Sequence, residues 1–360
     1  MIRILHLYGN KVNLGDWGSA LGIKQLLKSV TTEKIEYMDW HISYEGNKIK
    51  ENLVSKINKE YDAVIIGGGG LFKKRTKSFA NNWPLGILIN ISRKNMERIK
   101  VPIFIFSVGL NQDLGEKRRL FQKNYNGIYF DKKQIDNIRF LTDVSTLFSV
   151  RDVDTRCFLE EIGCSKTIHL TPCPSMFLCR NKKNEPKDKH IKPLVGINLR
   201  GNAPISVRNK IIKIVPMLQN REFDIIFLSH NTQKGERAKG LEDSLGIKKI
   251  ISGTPMQLMD NYRKLAFTIG MRCHSNIFSF GAIKPFISLS YNIKNNFFAK
   301  MVGMEDYLLP TNKEWIVNEL MDVFLEMVER EIEIKNKFKI LKDKFYSMNR
   351  EFAQKIIQFI

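Results

Sequence analysis

Short apolar runs alternate with segments of helical periodicity in the first half of the chain. Four runs of strand length are rich in β-branched and aromatic residues: 2–7, 63–66, 103–106 and 147–150. Residues 18–29 carry leucines at helical spacing, and residues 154–162 end at Gly163, a typical carboxyl cap of a helix. This alternation predicts parallel strands that are joined by crossover helices.

A polar and basic stretch, 180–193, contains two prolines and interrupts this pattern. The pattern resumes beyond it with four more runs of strand length: 194–199, 224–230, 266–270 and 287–291. We therefore predict an α/β fold of two Rossmann-like domains that face each other across a cleft. The predicted parts are a first domain at 1–180, a basic linker at 181–193, a second domain at 194–312, and helices at 313–360 that could brace the first domain.

The composition is that of a folded protein with a strongly basic surface. Lys and Arg total 58 against 37 Asp and Glu, which gives a formal net charge of +21. Three kinds of anionic partner suit this charge: nucleic acid, an anionic membrane, and small molecules that carry phosphate or carboxylate. Residues 112–139 mix basic and aromatic side chains, which suits a membrane interface, a glycan or a nucleic acid, and equally an amphipathic surface helix with a loop.

The cysteines and the apolar segments argue against several other classes. The five cysteines form neither a Cys-x-x-Cys pair nor a paired Cys/His spacing, so we expect no metal site and no disulfide framework. The first residues enter a glycine turn without a signal-like apolar region, which predicts a cytoplasmic protein. The apolar runs are far too short to span a membrane.

Two glycine-rich segments follow predicted strands. The segment 9–18 lies between a strand and a helix start, where backbone N–H groups can bind an anion. It matches neither the dinucleotide fingerprint nor a P-loop, and a tight turn packed on its helix is the alternative. Four glycines, 67–70, directly follow the strand 63–66. One glycine would suffice to turn the chain, so we expect the others to bring the backbone close to a ligand or to the facing domain.

The most specific candidate is the segment 270–276, at the end of a predicted strand. Arg272 and His274 lie two residues apart, so both would project to one side of an extended stretch. A guanidinium can bind phosphate or carboxylate through two parallel hydrogen bonds, and an imidazole exchanges protons near neutral pH. Together they suit a small substrate with two anionic groups. The alternative is a histidine that caps the next helix beside an arginine in a salt bridge.

These motifs occur in an order that resembles the polysaccharide pyruvyl transferase family. The motifs are Gly9-Asn10 with Gly15-Asp16, the glycine run within 65–72, Phe106-Ser107-Val108-Gly109, Ser149-Val150-Arg151-Asp152, Cys173-Pro174-Ser175, and Arg272-x-His274 with 281–294. The resemblance implies the architecture of GT-B glycosyltransferases. It also implies transfer of pyruvate from phosphoenolpyruvate to two hydroxyls of a sugar, which forms a ketal and releases phosphate. Phosphoenolpyruvate is then the donor substrate, and no cofactor is expected.

The resemblance implies roles for individual residues. Arg272 would hold an anionic group, His274 would protonate the methylene carbon as general acid, and Asp16 would bind or activate an acceptor hydroxyl. The further substrate-binding residues would be Arg151, Arg200, Gly9, Asn10, Gly15, Gly68, Gly69, Gly70, Ser107, Ser275, Tyr291 and Lys294. Cys173 stands where many relatives carry Asp, and Cys273 replaces a small or aliphatic residue, so acceptor specificity could differ.

The implied partners are phosphoenolpyruvate and a cell-surface glycan or its lipid-linked oligosaccharide precursor. The basic segment 112–139 suggests peripheral contact with an anionic membrane at its inner face. One alternative is a glycosyltransferase of the same architecture that uses a nucleotide sugar, since the fold would be the same. Another is a basic nucleic-acid-binding protein without catalysis. The sequence holds no recognised RNA or DNA motif, so we expect no nucleic-acid partner.

Overall fold

The structure is a computed structural model in which most of the chain is described. The described residues are 1–42, 48–73, 83–117, 122–125, 127–178, 192–232 and 245–360. Contacts among them divide the chain into two compact units. Unit 1 consists of Met1–Lys11, Ser19–Pro174 and Phe345–Ile360, and unit 2 consists of Val12–Gly18 and Ser175–Lys344.

Unit 1 is built on a parallel sheet of six strands. The strands of unit 1, in chain order and including a separate hairpin, are β1 (Ile2–Tyr8), β2 (Ile35–His41), β3 (Ala63–Phe72), β4 (Ile103–Leu110), β5 (Gln122–Tyr125), β6 (Ile128–Asp131), β7 (Leu147–Val150) and β8 (Ile168–Leu170). The sheet has the order β2-β1-β3-β4-β7-β8, and β5 and β6 form a separate antiparallel hairpin. β4 is buried along its whole length, as expected of a parallel strand that is covered on both faces.

The helices of unit 1 begin and end at local sequence signals. They are α1 (Leu14–Lys28), whose first turn belongs to unit 2, α2 (Glu51–Glu60), α3 (Arg93–Glu97), α4 (Lys132–Val144) and α5 (Val153–Glu161). Asp131 and Gln134 form a capping box at the start of α4. The Asp152 carboxylate accepts from the backbone N–H of Thr155 at the start of α5. Gly163 follows α5 with φ +82°, so the predicted helix and its glycine cap are confirmed.

The four glycines at 67–70 lie inside β3, and the prediction that the strand ends before them is wrong. Gly67 pairs with Phe106 and Gly69 with Val108 in β4. A Cβ atom on Gly67 would lie 1.9 Å from the Phe106 carbonyl oxygen, and one on Gly70 would lie 2.9 Å from Asn111 Nδ2. Close packing within unit 1 therefore accounts for glycine at these two positions.

Unit 2 contains a second parallel sheet of six strands. Its strands are β9 (Leu194–Asn198), β10 (Asp224–Ser229), β11 (Lys249–Ile251), β12 (Phe267–Gly270), β13 (Phe286–Ser290) and β14 (Leu308–Pro310), in the sheet order β11-β10-β9-β12-β13-β14. Its helices are α6 (Ile205–Gln219), α7 (Pro255–Arg263), α8 (Cys273–Gly281), α9 (Ile293–Val302), α10 (Val317–Glu329) and the first part of α11 (Glu331–Gln358). This strand order is that of the Rossmann fold, with the reversal between β9 and β12.

The end of α11 packs within unit 1. The Phe352 ring lies 5.0 Å from the Phe106 ring between centroids, and Asn349 Nδ2 donates to the Pro172 carbonyl at 3.0 Å. Residues 12–18 group with unit 2, and residues 345–360, within the helices predicted at 313–360, group with unit 1. Most of the predicted linker 181–193 lies outside the described residues, which resume at 192.

The basic and aromatic segment 112–139 contains the β5–β6 hairpin and the first half of α4. Residues 118–121 and 126 lie outside the described part of the chain, and two basic residues of the segment, Arg118 and Arg119, are among them. Tyr125 packs edge-on against Phe158 of α5, with 5.4 Å between ring centroids. Part of the aromatic content of this segment therefore belongs to the packing of unit 1.

Candidate functional site

The candidate site lies in unit 2, at the carboxyl ends of β9, β10 and β12. The strand order reverses between β9 and β12, and open α/β sheets bind ligands beside such a reversal. Asn198 ends β9 and joins the three strand ends, because its Nδ2 donates to the Leu228 carbonyl at 2.8 Å and its Oδ1 accepts from the Arg272 backbone N–H at 3.2 Å. Arg200 and Arg272 follow β9 and β12, so both cations lie at this edge.

Arg272 and His274 stand at the start of α8, and the prediction of an extended stretch is wrong here. Arg272 is the N-cap residue with extended backbone, and the helix begins at Cys273. Burial lowers the pKa of Arg272, and the positive charge of Arg200 lowers it further. Tyr291 and Asp16 raise the pKa without cancelling these effects, so the pKa stays below its ordinary value. An arginine side chain is not deprotonated in proteins at neutral pH, so Arg272 remains a cation.

His274 packs directly over the first turn of α1. A Cβ atom on Gly15 would lie 2.1 Å from His274 Nδ1 and 2.2 Å from its Cγ, so the imidazole occupies the space of a side chain at this position. The neighbouring Asp16 carboxylate accepts from Asn13 Nδ2 at 3.0 Å, and Asn13 Oδ1 accepts from the Gly15 N–H at 3.1 Å. The structure thus brings Asp16, Arg272 and His274 together within unit 2.

Three cationic side chains surround Tyr291, which follows β13. The Arg200 guanidinium lies 4.0 Å and the Lys294 ammonium 5.6 Å from the centroid of its ring. Burial raises the pKa of the Tyr291 phenol, but Lys294, Arg200 and Arg272 together outweigh burial and leave it below its ordinary value. We call Arg200, Arg272, Lys294 and Tyr291 the cation cluster. It is an arrangement that favours a ligand with more than one negative charge.

A buried hydrogen-bonded chain supports the start of α8, and sequence reasoning missed two of its members. His230 Nε2 and the Tyr262 hydroxyl lie 2.7 Å apart, and the Tyr262 and Ser275 hydroxyls also lie 2.7 Å apart. Burial, followed by the positive charge of Arg272, holds the pKa of His230 well below its usual value, so this histidine is neutral. The His230 carbonyl also accepts from the Leu14 N–H at the start of α1.

Ser275 is predicted as a substrate ligand, but the structure buries its side chain and bonds its hydroxyl to Tyr262. Its position favours support of α8 over contact with a ligand. The one sequence signal for the buried chain is that His230 directly follows a strand. Tyr262 lies near the end of α7 and carries no signal in the sequence.

The other predicted residues lie in unit 1. Arg151 is 4% exposed, its Nη2 donates to the Leu110 carbonyl at 2.8 Å, and its Nε lies 3.3 Å from the Asp152 carboxylate. Ser107 lies within β4 with φ +54°, a backbone conformation that serine rarely adopts, and its buried hydroxyl has no hydrogen-bond partner among the described residues. Gly9 and Asn10 follow β1, and Gly68, Gly69 and Gly70 lie in β3.

The described part of the chain holds no group of three or more His, Cys, Asp or Glu side chains that could bind a metal ion. None of the helices in that part is both long and apolar enough to cross a membrane.

Comparison with known proteins identifies a family and a fold. The model of one family, described as polysaccharide pyruvyl transferase, matches residues 1–293. No protein with a curated description matches the chain.

The chain is similar to solved structures of enzymes that bind UDP or UDP-GlcNAc. MnaA of S. aureus, solved with UDP, has 14% identity and a TM-score of 0.59, with 99% of this chain and 95% of that chain covered. The UDP-GlcNAc 2-epimerase from Neisseria meningitidis, bound to UDP-GlcNAc, has 13% identity and a TM-score of 0.57 over 99% and 98%. Identities this low show a shared fold alone. The predicted fold class, α/β with two Rossmann-like domains of the GT-B type, is confirmed.

Proposed function

Since the chain belongs to the polysaccharide pyruvyl transferase family, we propose that it transfers pyruvate from phosphoenolpyruvate to two hydroxyls of a sugar in a cell-surface glycan or its lipid-linked precursor. The products are a pyruvate ketal and inorganic phosphate. The observation that carries this proposal is the cation cluster beside His274. Arg200, Arg272 and Lys294 supply the positive charge that a substrate with both phosphate and carboxylate requires.

The proposed reaction begins at the methylene carbon of phosphoenolpyruvate. Arg272 binds an anionic group of the donor, and His274 gives its proton to the methylene carbon, which becomes a methyl group. The adjacent carbon, now electron-poor, accepts the oxygen of the first sugar hydroxyl, and Asp16 takes the proton of that hydroxyl. Phosphate then leaves with the electron pair of its C–O bond, and the second hydroxyl closes the ketal ring. Of the two hydroxyl protons, one replaces the proton spent by His274 and one ends on phosphate.

The proposal requires no cofactor, because the three cations already offset the donor's negative charge. Turnover is expected to continue in the presence of a chelator. Activity that is lost in chelator and restored by one divalent ion would contradict this part of the proposal. The substrate contacts predicted for Gly9, Asn10, Gly68, Gly69, Gly70, Ser107 and Arg151 stay a prediction.

The test is release of inorganic phosphate from phosphoenolpyruvate with a panel of β-galactosides, mannosides and N-acetylhexosaminides. Wild type, Arg272→Ala and His274→Ala are compared, with Arg221→Ala as a control because Arg221 is an exposed arginine of the same unit. We expect phosphate release that depends on the acceptor, a new methyl signal of the ketal by proton NMR, and a loss of about 100-fold or more in the two site variants. Stabilisation by a nucleoside diphosphate but not by phosphoenolpyruvate in thermal unfolding would instead indicate a nucleotide-sugar donor.

We also propose peripheral contact of unit 1 with an anionic membrane, which would suit a lipid-linked acceptor. A cavity of about 650 Å³ is lined by Arg93, Lys94, Lys132 and Lys133 among other residues, and Lys132 and Lys133 are exposed. Anionic headgroups are attracted to such a cationic patch. Co-sedimentation with anionic liposomes at low salt should fall in Lys132→Glu/Lys133→Glu but not in the control Lys339→Glu/Lys344→Glu. No binding by wild type would contradict the contact.

A further inference from the structure

Tyr291 differs from Tyr8, Tyr37 and Tyr262 in the charges that surround it. Burial raises the pKa of Tyr8, Tyr37 and Tyr262, and no cation cluster offsets burial at these sites. At Tyr291 the charged groups are Lys294 from α9, Arg200 after β9 and Arg272 at the start of α8. All three are cations. The carboxylate of Asp16 raises the pKa of Arg272 and is not among the groups that act on Tyr291. The negative form of the Tyr291 phenol is therefore stabilised from three elements of unit 2.

The proposed reaction names His274 and Asp16 as acid–base groups but names no group that delivers the proton of the departing phosphate. Two sugar hydroxyls lose protons, the methylene carbon gains one, and the departing phosphate gains the other. His274 accounts for the proton at carbon. A group that gives a proton to the phosphate must lie near it and must tolerate a transient negative charge there. The cation cluster supplies both the anion-binding charge and a hydroxyl, that of Tyr291.

We propose that Tyr291 is a catalytic residue that gives its proton to the departing phosphate and then takes the proton of the second sugar hydroxyl. This proposal rests on the proposed function. As the C–O bond to phosphate breaks, its electron pair goes to the bridging oxygen, which receives the phenol proton. The phenolate that remains is held by Arg200, Arg272 and Lys294. The second hydroxyl oxygen then forms its bond to the same carbon, and its proton returns to the phenolate.

Binding of the donor prepares Tyr291 for this role. In the free protein the three cations favour the phenolate. A bound phosphate and carboxylate would pair with the same cations and weaken their effect on the phenol, so donor binding is coupled to uptake of a proton at Tyr291. The residue is thereby protonated when phosphate must leave and able to ionise once it has left.

The kinetic experiment compares wild type with Tyr291→Phe, which keeps the aromatic ring beside Arg200 and removes the hydroxyl. The control is Tyr307→Phe in the same unit, since the Tyr307 hydroxyl bonds Glu326 at 3.3 Å outside the cation cluster. We expect kcat for acceptor-dependent phosphate release to fall about 100-fold in Tyr291→Phe, with a much smaller change in KM for phosphoenolpyruvate. Tyr307→Phe should retain the wild-type rate.

The spectroscopic experiment follows the ultraviolet absorbance of tyrosinate as pH is raised. One tyrosine should ionise before the others in wild type and in Tyr307→Phe, this early transition should be missing in Tyr291→Phe, and phosphoenolpyruvate without acceptor should move it to higher pH. A wild-type rate in Tyr291→Phe, or an early transition that persists in that variant, overturns the role of Tyr291 alone. A wild type that folds and shows the early transition, but releases no phosphate with any acceptor, overturns the proposed function and this step with it.

Discussion

Both sheets carry arginine and glycine motifs at or near the carboxyl ends of their strands, and the polar side chains there are arranged differently in the two units. In unit 2, Arg200, Arg272 and Lys294 gather around one tyrosine, with His274 and Asp16 beside them. In unit 1, Arg151 is bound to Leu110 and Asp152, and the glycines of β3 pack against β4 and Asn111. Similar motifs at similar places in a sheet thus serve packing in one unit and present charge in the other.

The difference between the two units has a simple physical basis. A buried cation must be paired within the protein or it costs several kcal/mol. Arg151 meets this requirement with the carbonyl of Leu110 and the carboxylate of Asp152. The cations of unit 2 lie near one another around Tyr291, so their mutual repulsion is relieved when an anion binds. An excess of like charge around one point is therefore a stronger sign of a ligand site than an arginine at a strand end.

The largest expected effect on stability is at Arg151. Arg151→Met leaves the buried Asp152 carboxyl without its guanidinium, and we expect a loss of about 3–5 kcal/mol in the free energy of unfolding, measured with urea. Burial already raises the pKa of Asp152, with Arg151 opposing it, so removal of Arg151 should raise it further. The double variant Arg151→Met/Asp152→Asn keeps a capping side chain for α5 and should recover most of the loss. A single variant as stable as wild type would show that the pair does not anchor unit 1.

The second effect is a pH dependence of stability from His6 in unit 1. His6 Nε2 lies 2.6 Å from the Gly67 carbonyl oxygen, and burial, followed by Lys24, lowers its pKa from 6.5 to about 4. Between these values the unfolded chain binds a proton that the folded chain does not, so acidification destabilises the protein. We expect a loss of about 3 kcal/mol on going from pH 7 to pH 4, with no change above pH 7.

His6→Gln is the matched variant for this effect, because glutamine can donate to Gly67 but does not titrate. Urea unfolding at a series of pH values should show a shallower loss of stability on acidification in His6→Gln than in wild type. The same slope in both proteins would mean that other groups, such as the buried His230 of unit 2, carry the pH dependence.

The third prediction, which has the smallest expected effect in free energy, concerns Gly15 of unit 2. A Cβ atom in Gly15→Ala would meet the His274 imidazole at 2.1 Å, so the ring must move from its position over α1. We expect kcat for phosphate release to fall about 100-fold, since a displacement of about 1 Å at a reacting group has this effect. Gly253→Ala is the control, because its Cβ would lie 3.1 Å from the flexible end of Gln257. Equal rates in the two variants would show that the position of His274 over Gly15 does not matter.

Much of the local structure followed from the sequence. The alternation of apolar runs and helical periodicity predicted the four inner strands of each sheet but missed the edge strands β2, β8, β11 and β14. Gly163 predicted the end of α5. The start of α8 was mispredicted, because a short segment after a strand carries no periodicity of its own and Arg272 provides no side-chain cap. The extent of β3 was mispredicted because a run of glycines usually ends a strand, while here the close approach of β4 and Asn111 requires glycine.

The sequence by itself determined the class of fold, the family and the identity of the residues with reactive side chains, because these depend on local periodicity and on motifs of a few residues. Only the tertiary structure decided which of those residues meet. Gly15 lies under His274, His230 bonds Tyr262, and Arg200 faces Tyr291, although long stretches of chain separate each pair. The physical reason is that such contacts depend on strand order and on the packing of helices across the sheet, which no local pattern encodes.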